Sequence, residues 1–336
     1  MPHAVTLKSF TVIVVGAGIA GLACARELQA GGLSVCVLEK SAGVGGRCAT
    51  RRTEAGAFDH GAQYFTARDP RFQTLVHDLR GQGVVADIDA GIVRLVQPGE
   101  YQALPVEPRY AAVPGMNALG KTLAQGLDIR PGHRVLACER AGQGWRLRVE
   151  TPASTDQFDA AALVLALPSD QAVALAADSA MGAELAARPM TPCWAVMAAF
   201  DAPVDFSHAG VLIEAPVDPA LSWIMRDSAK PGRGPGERWV LHARDSWSQA
   251  HLDADRATVR QRLIERFRAL TGAPMPSFAV VHRWRFAAGG RAAAEGCLVD
   301  PALRLAACGD WAQQGRIEGA WLSGLAAGQR VHGLLQ

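Results

Sequence analysis

Residues 10–39 restrict this chain more than any other stretch. FTVIVV at 10–15 is continuously apolar and rich in β-branched residues, as a strand buried on both faces of a parallel sheet must be. GAGIAG follows at once and sets Gly16, Gly18 and Gly21 in the spacing G-x-G-x-x-G. LACARELQAGG then gives a helical face of Leu22, Ala25 and Leu28, stopped by Gly31 and Gly32. SVCVLE reads as a second strand ending in Glu39. Strand, glycines, helix, strand and terminal acid in register predict a Rossmann-like dinucleotide cradle. In it Gly16 permits the tight turn, Gly18 lets the backbone approach a pyrophosphate, and Gly21 lets helix and strand pack closely. Ala20 lies in the same turn, at the helix N-terminus whose free N–H groups and dipole favour phosphate. Glu39 accepts hydrogen bonds from the adenosine ribose, and its charge repels a 2′-phosphate.

NAD and FAD share this unit, and the residues just past it separate them. KSAGVGGR at 40–47 adds Lys40 and then Gly45, Gly46 and Arg47. It resembles the extended FAD fingerprint of the flavoprotein amine oxidases, where glycines and arginine meet the pyrophosphate; an arginine can fork onto phosphate oxygens. The far end supports FAD. Residues 304–331 read as a short strand, a Gly309-Asp310 turn, a loop and a helix rich in small residues. The resemblance implies that Asp310 reaches the ribityl and pyrophosphate region. The helix opening near Ile317–Gly319 would stabilise negative charge on a reduced flavin by its positive end.

The expected fold class is therefore α/β: a Rossmann-like FAD-binding domain interleaved with a substrate domain of mixed β-sheet plus helices, in the amine-oxidase or p-hydroxybenzoate-hydroxylase manner. Its FAD-binding part would be residues 1–66, 108–169 and 301–336; residues 67–107 and 170–300 would form the substrate domain. A helix is expected within 114–127, a meander over 129–150 with turns at Pro131-Gly132 and Gly142–Gly144, and a buried strand over 158–168. Val135 either meets the adenine through its backbone, as in related flavoproteins, or is a plain strand valine. Further strands are expected at AVMAAF, GVLIEA, LSWIM and RWVLHA. A helix follows, with Val259, Leu263, Phe267 and Leu270 on one face and Asp253 as its cap.

Composition adds exclusions. A net charge of +2 gives no reason to expect nucleic acid or a charged membrane. Seven cysteines, none spaced C-x-x-C, suit reduced thiols in the cytoplasm better than disulfides or a metal site.

Across its length the chain resembles the bacterial renalases, FAD-dependent oxidases within the amine-oxidase-like superfamily. The likeness rests on GAGIAG with GGR, DHGAQYFTARDPRF at 59–72, KPGR before WVLHA, HRWRFA at 282–287, and CGDW with GRIEGAWLSG. It implies a non-covalent FAD oxidase of isomeric 2- or 6-dihydronicotinamide dinucleotides. Such an enzyme passes hydride to flavin N5, releases NAD(P)+, and reoxidises with O2 to give hydrogen peroxide. No protein partner is inferred.

That chemistry needs positioning more than acid–base help, so no residue is assigned as a catalytic acid or base. The expected slot is flat and walled by Tyr64, Trp194, Trp223 and Trp284, with His242 as a hydrogen-bonding neighbour. Arg68, Arg226, Lys230 and Arg233 are either phosphate contacts or solvated charges. AFDHGAQYFTARD at 57–69 is read as a strand, which places Asp59 and His60 on opposite faces and argues against a dyad. Gly61 and Ala62 would give a thin platform for the flavin, and Gln63 would bond its edge. Two alternatives stand beside this reading: an amine oxidase of the same fold, and a flavin- or nucleotide-binding protein without turnover.

Overall fold

The computed structural model describes residues 8–88, 91–176, 179–313 and 315–336. Two compact units divide the chain: Met1–Arg47, Leu119–Met190 and Gly289–Gln336 in the first, Cys48–Ala118 and Thr191–Ala288 in the second. Residues 48–66 and 108–118 therefore pack with the second unit, and 170–190 and 289–300 with the first, whatever their part in binding.

The first unit is built on an eight-stranded sheet. Its central strand, Lys8–Val15, pairs in parallel with Val35–Glu39 on one side and Thr155–Leu165 on the other. Val12, Ile13 and Val14 have no exposure at all, as the unbroken apolar run requires. Asp128–Pro131 extends the parallel edge beyond Val35–Glu39, and Leu305–Ala307 adds to the upper end of Thr155–Leu165. The expected meander is present as Arg134–Ala141 and Gly144–Glu150, turning at the glycines named above.

Helix Ile19–Ala30 packs on the long helix Arg316–Leu335 at very short range. A Cβ on Gly324 would lie 2.0 Å from the Ala20 carbonyl oxygen, and one on Gly328 would lie 2.8 Å from Glu27 Cβ. The small residues of the C-terminal helix thus serve this contact.

The second unit carries a seven-stranded sheet in the order Phe278–Gly289, Met190–Phe200, Glu237–Ala243, Leu221–Arg226, Gly210–Ile213, Ile92–Gln97, Glu100–Ala103. Alternation sorts its side chains. Trp194, Val196, Leu241 and Val281 face helix Arg256–Thr271, whose Val259, Leu263 and Phe267 complete that core. Met197, Ala199, Val240 and Phe278 face the other way, towards Phe58. The helix is capped by Asp255, which accepts from Thr258 N at 2.9 Å, and not by Asp253. Asp253 instead pairs with Arg283 and Arg285.

AFDHGAQYFTARD is not one strand. Strand Gly56–Asp59 ends at the acid, and Gln63 folds back so that its amide donates to the carbonyls of Asp59 and Gly61. This local side-chain bond outcompetes a ladder and makes a turn. Among the described residues no helix is long and apolar enough to cross a membrane.

Candidate active site

In the first unit the glycine turn has the geometry of a phosphate cradle. Gly16 has φ +105, and a Cβ there would meet Ala166 O at 2.4 Å; a Cβ on Gly21 would meet Gly16 O at 2.0 Å. Both positions are closed by the fold itself. Gly18 is different: φ is an ordinary −72, and nothing lies within 4 Å of an added Cβ. Its missing side chain leaves open space over the start of the helix, whose cap makes no side-chain hydrogen bond and whose first turn holds no acid. The amides there are left for an anionic ligand.

Second-strand residues finish the cradle. Glu39 is buried and accepts from Ala17 N at 2.8 Å and Ser41 N at 2.7 Å, which fixes its carboxylate beside the glycines. Gly45 N donates to Ala17 O at 2.8 Å, so the Gly45-Gly46 loop lies along the Gly16–Gly18 turn. Gly46 has φ +54. Arg47 forks onto Asp310 at 2.9 and 2.5 Å, tying together two cradle residues 263 positions apart. Ile317 and Gly319 are buried in the first turn of Arg316–Leu335. These features fit FAD: open room at Gly18, unspent amides, and an acid at the ribose position.

Three cradle candidates stand further out. Lys40 is exposed and donates to Gln171 at 3.2 Å. Ala20 is buried, its carbonyl covered by Gly324. Val135 is half-buried, beside a bulge in its strand.

In the second unit, six aromatic and imidazole rings collect on the sheet face opposite the helix. His242 lies across from Trp223 on one neighbouring strand and from Ala195 on the other. Trp223 meets Tyr64, ring centres 5.6 Å apart. His60 stacks on Trp284 at 5.0 Å, and His282 sets its edge against both at 4.8 and 4.3 Å. The His60 carbonyl accepts from Trp284 Nε1 at 3.0 Å and from His242 Nε2 at 3.1 Å.

Burial pushes His60 down to about 4, helped by His282 and Arg51. It does the same to His242, and to His282 with Arg51 and Arg256 adding repulsion. All three imidazoles are neutral at neutral pH. Among the described residues no group of His, Cys, Asp or Glu is arranged to hold a metal ion.

Trp194 does not belong with these rings. It is adjacent in sequence to Ala195, so alternation turns it to the helix side, where it is fully buried and donates to His251 O at 3.0 Å. Arg68 is exposed and forks onto Glu107 at 2.8–3.1 Å. Gly61 and Ala62 are half-buried in the turn. Gln63 is buried with Oε1 unpartnered, an acceptor open to an N–H donor.

Lys230 and Arg233, read from the sequence as phosphate contacts or solvated charges, are neither, because both are buried. Lys230 Nζ sits 2.6 Å from Asp59 and 2.5 Å from Asp227, with no side-chain exposure on any of the three. Arg233 Nη2 meets Asp59 at 2.5 Å. Arg226 is likewise spent on Glu237 and on the carbonyls of Val204 and Phe206. Asp59 also accepts from Thr50 at 2.6 Å and Met116 N at 2.9 Å. Burial alone would raise its pKa, but Lys230 and Arg233 carry it below the usual value. For Asp227 burial wins, and its pKa is raised.

Sequence reasoning weighed His60 only as half of a dyad with Asp59 and set it aside, and it passed over His282. For His282 a signal existed: Val280, His282 and Trp284 share one face by alternation. For His60 there was none, since its partners are 182 and 224 positions away.

Comparison with known proteins agrees with this architecture. Residues 99–332 match the family described as flavin containing amine oxidoreductase, and residues 14–79 match an NAD(P)-binding Rossmann-like domain. The fold is similar to a putative protoporphyrinogen oxidase from Exiguobacterium sp. 255-15, with TM-score 0.78, 13% identity, and 99% of this chain and 100% of that one covered. Cyclohexylamine oxidase from Brevibacterium oxydans IH-35A gives TM-score 0.75 at 15% identity, over 97% and 99% of the two chains. A 46-residue stretch, 14% of this chain, is 59% identical to lysine-specific histone demethylase 1 homolog 3 of Oryza sativa subsp. indica. A 68-residue stretch, 20% of this chain, is 40% identical to protoporphyrinogen oxidase 2 of Arabidopsis thaliana. Those stretches span only 6% and 13% of the two plant proteins.

Proposed function

Because the chain belongs to the family of flavin containing amine oxidoreductases, and so is an FAD-dependent oxidoreductase, we propose that it oxidises a substrate whose reacting group is uncharged, at a carbon bonded to nitrogen, with O2 as the final acceptor. Bound FAD supplies the two-electron acceptor. The protein holds it with Gly16, Gly18, Gly21, Glu39, Gly46, Arg47 and Asp310, and the rings of the second unit bind and orient the substrate.

The observation that carries this reading is the charge state of those rings. Tyr64, Trp223, Trp284 and the neutral imidazoles offer flat apolar area and hydrogen-bonding nitrogens, but no free carboxylate to hold an ammonium ion. The nearby acids, Asp59 and Asp227, are committed to Lys230 and Arg233. An amine would enter as its free base. An isomeric dihydronicotinamide, whose hydride-bearing carbon is also bonded to nitrogen, needs no deprotonation at all. The same observation therefore favours this second substrate reading, to which the GAQYFTARD and HRW segments also point.

Anaerobic mixing of the flavin-loaded protein with 2- and 6-dihydro-NAD, ordinary NADH and a panel of amines tests both. Rapid loss of the flavin absorption with the isomers alone supports the dihydronicotinamide reading. Loss with amines alone replaces it with the amine reading, and a protein inert to every probe refutes turnover at a carbon–nitrogen centre.

Trp284→Ala and Tyr64→Ala are expected to raise KM about tenfold or more, from roughly 1.5 kcal/mol or more of lost ring contact, while FAD stays bound. Equal loss of FAD and substrate binding would make both residues structural.

The imidazoles also set an acid limit. In the unfolded chain they titrate near 6.5; folded, they titrate at about 4. Between those values the unfolded state holds more protons, so stability falls as pH falls. Unfolding free energy should be level above about pH 7 and drop from about 6.5 towards 4, His60 alone contributing on the order of 3 kcal/mol. A flat urea-unfolding profile across that range would contradict the burial of these rings.

A further inference from the structure

The His60 carbonyl is the meeting point of two systems described above: the buried ions around Asp59 and the rings around His242. We propose that Lys230 is a positioning residue which, through Asp59 and the His60 carbonyl, fixes the tautomer of His242 and leaves its Nδ1 as the acceptor for an uncharged N–H donor on the substrate. The inference rests on the reading of this ring face as the substrate site.

The argument runs along a chain of contacts. Lys230 and Arg233 clamp the Asp59 carboxylate from one side, and Thr50 and Met116 N from the other. Gln63 donates to the Asp59 and Gly61 carbonyls and closes the turn, and Lys230 Nζ also reaches Gln63 O at 3.5 Å. The carbonyl between those two, that of His60, is thereby held in place. It receives both Trp284 Nε1 and His242 Nε2. A carbonyl oxygen only accepts, so His242 must carry its proton on Nε2. A neutral imidazole protonated there has its lone pair on Nδ1. That atom has no hydrogen-bond partner among the described residues. A ligand group facing it must donate: a free-base amine or a carboxamide N–H is accepted, whereas a carboxylate or a ketone oxygen is repelled.

Lys230→Met is the informative change. It removes both contacts of Lys230 to the turn, to the Asp59 carboxylate and to Gln63 O, and so frees the His60 carbonyl between them. Arg233 and Thr50 keep Asp59 partnered so that the fold survives, and Asp227, whose acid form burial already favours, takes up a proton. The probes are benzamide, which has N–H donors, and N,N-dimethylbenzamide, which has none, titrated against the FAD-loaded protein by tryptophan fluorescence. The wild type is expected to bind benzamide at least about tenfold tighter than its dimethyl analogue. Lys230→Met should bring that ratio close to one, and Lys230→Arg should restore it. Nitrogen-15 NMR of labelled histidine should show His242 as the Nε2–H tautomer in the wild type and as a mixture in Lys230→Met.

A merely structural lysine would weaken both probes alike and leave the tautomer unchanged, which would overturn the proposal. So would an Nδ1–H signal from His242 in the wild type, a measurement that holds even if Lys230→Met does not fold. The tautomer is read without turnover. An inert enzyme with His242 protonated on Nε2 would therefore count against the proposed function and not against this positioning role.

Discussion

Replacing Asp59 with alanine is expected to cost about 3–5 kcal/mol of stability, the penalty for stranding a buried charge. The carboxylate is completely enclosed and is the shared partner of Lys230 and Arg233, whose side chains are 0% and 1% exposed. Removing it leaves Lys230 paired with Asp227 and leaves Arg233 with no ion-pair partner among the described residues. It also takes the acceptor from Thr50 and from Met116 N. Asp59→Asn keeps the shape and an acceptor but not the charge, and should fall between wild type and alanine. Replacing Asp59, Lys230 and Arg233 together by Leu, Met and Met should recover much of the loss, because the one acid left behind, Asp227, has its acid form already favoured by burial and takes up a proton. Denaturant unfolding checks all three variants. A loss below about 1 kcal/mol for alanine would mean that water reaches these ions, as at an exposed pair.

Two glycines of the same motif should lose FAD for different reasons when the same methyl group is added, one through the fold and one through the ligand space. In Gly21→Ala the new Cβ would stand 2.0 Å from the Gly16 carbonyl oxygen. Helix and strand must then separate, so the apoprotein itself should lose several kcal/mol, as in overpacked cores, and FAD with it. In Gly18→Ala the methyl group meets nothing within 4 Å, and φ of −72 suits alanine. Apoprotein stability should stay within about 1 kcal/mol, the scale of a helix-cap change. FAD affinity should drop at least about tenfold, because the methyl group occupies ligand space. Thermal melts of both apoproteins and FAD titrations separate the two effects. A Gly18→Ala protein with undiminished FAD affinity would place the pyrophosphate elsewhere.

Stability and cofactor binding thus have different owners within six residues, and only part of that was legible beforehand. The spacing of Gly16, Gly18 and Gly21 identified the cradle, but not which glycine answers to the protein and which to the ligand. Arg47 and Asp310 were assigned to one cofactor separately; their mutual fork was not foreseen.

The substrate side was less legible. Tyr64, Trp223, His242 and Trp284 do fall together, but Trp194 was misassigned, because aromatic identity says nothing about which face of a strand a residue occupies. One position settles it: Ala195 shares a face with His242, so Trp194 cannot. Lys230 and Arg233, polar and in a glycine-rich loop, looked like surface charges and are core.

The sequence by itself determined the nucleotide-binding half, because that half is written in local terms. An unbroken apolar strand, a fixed glycine spacing and a terminal acid act over a few residues at a time. Only the tertiary structure decided the rest. The Asp59 ion cluster closes over 171 and 174 positions of chain, and the His60 carbonyl gathers donors from two other strands. Such contacts depend on which strands pair and which way each side chain then faces, and no local pattern encodes that.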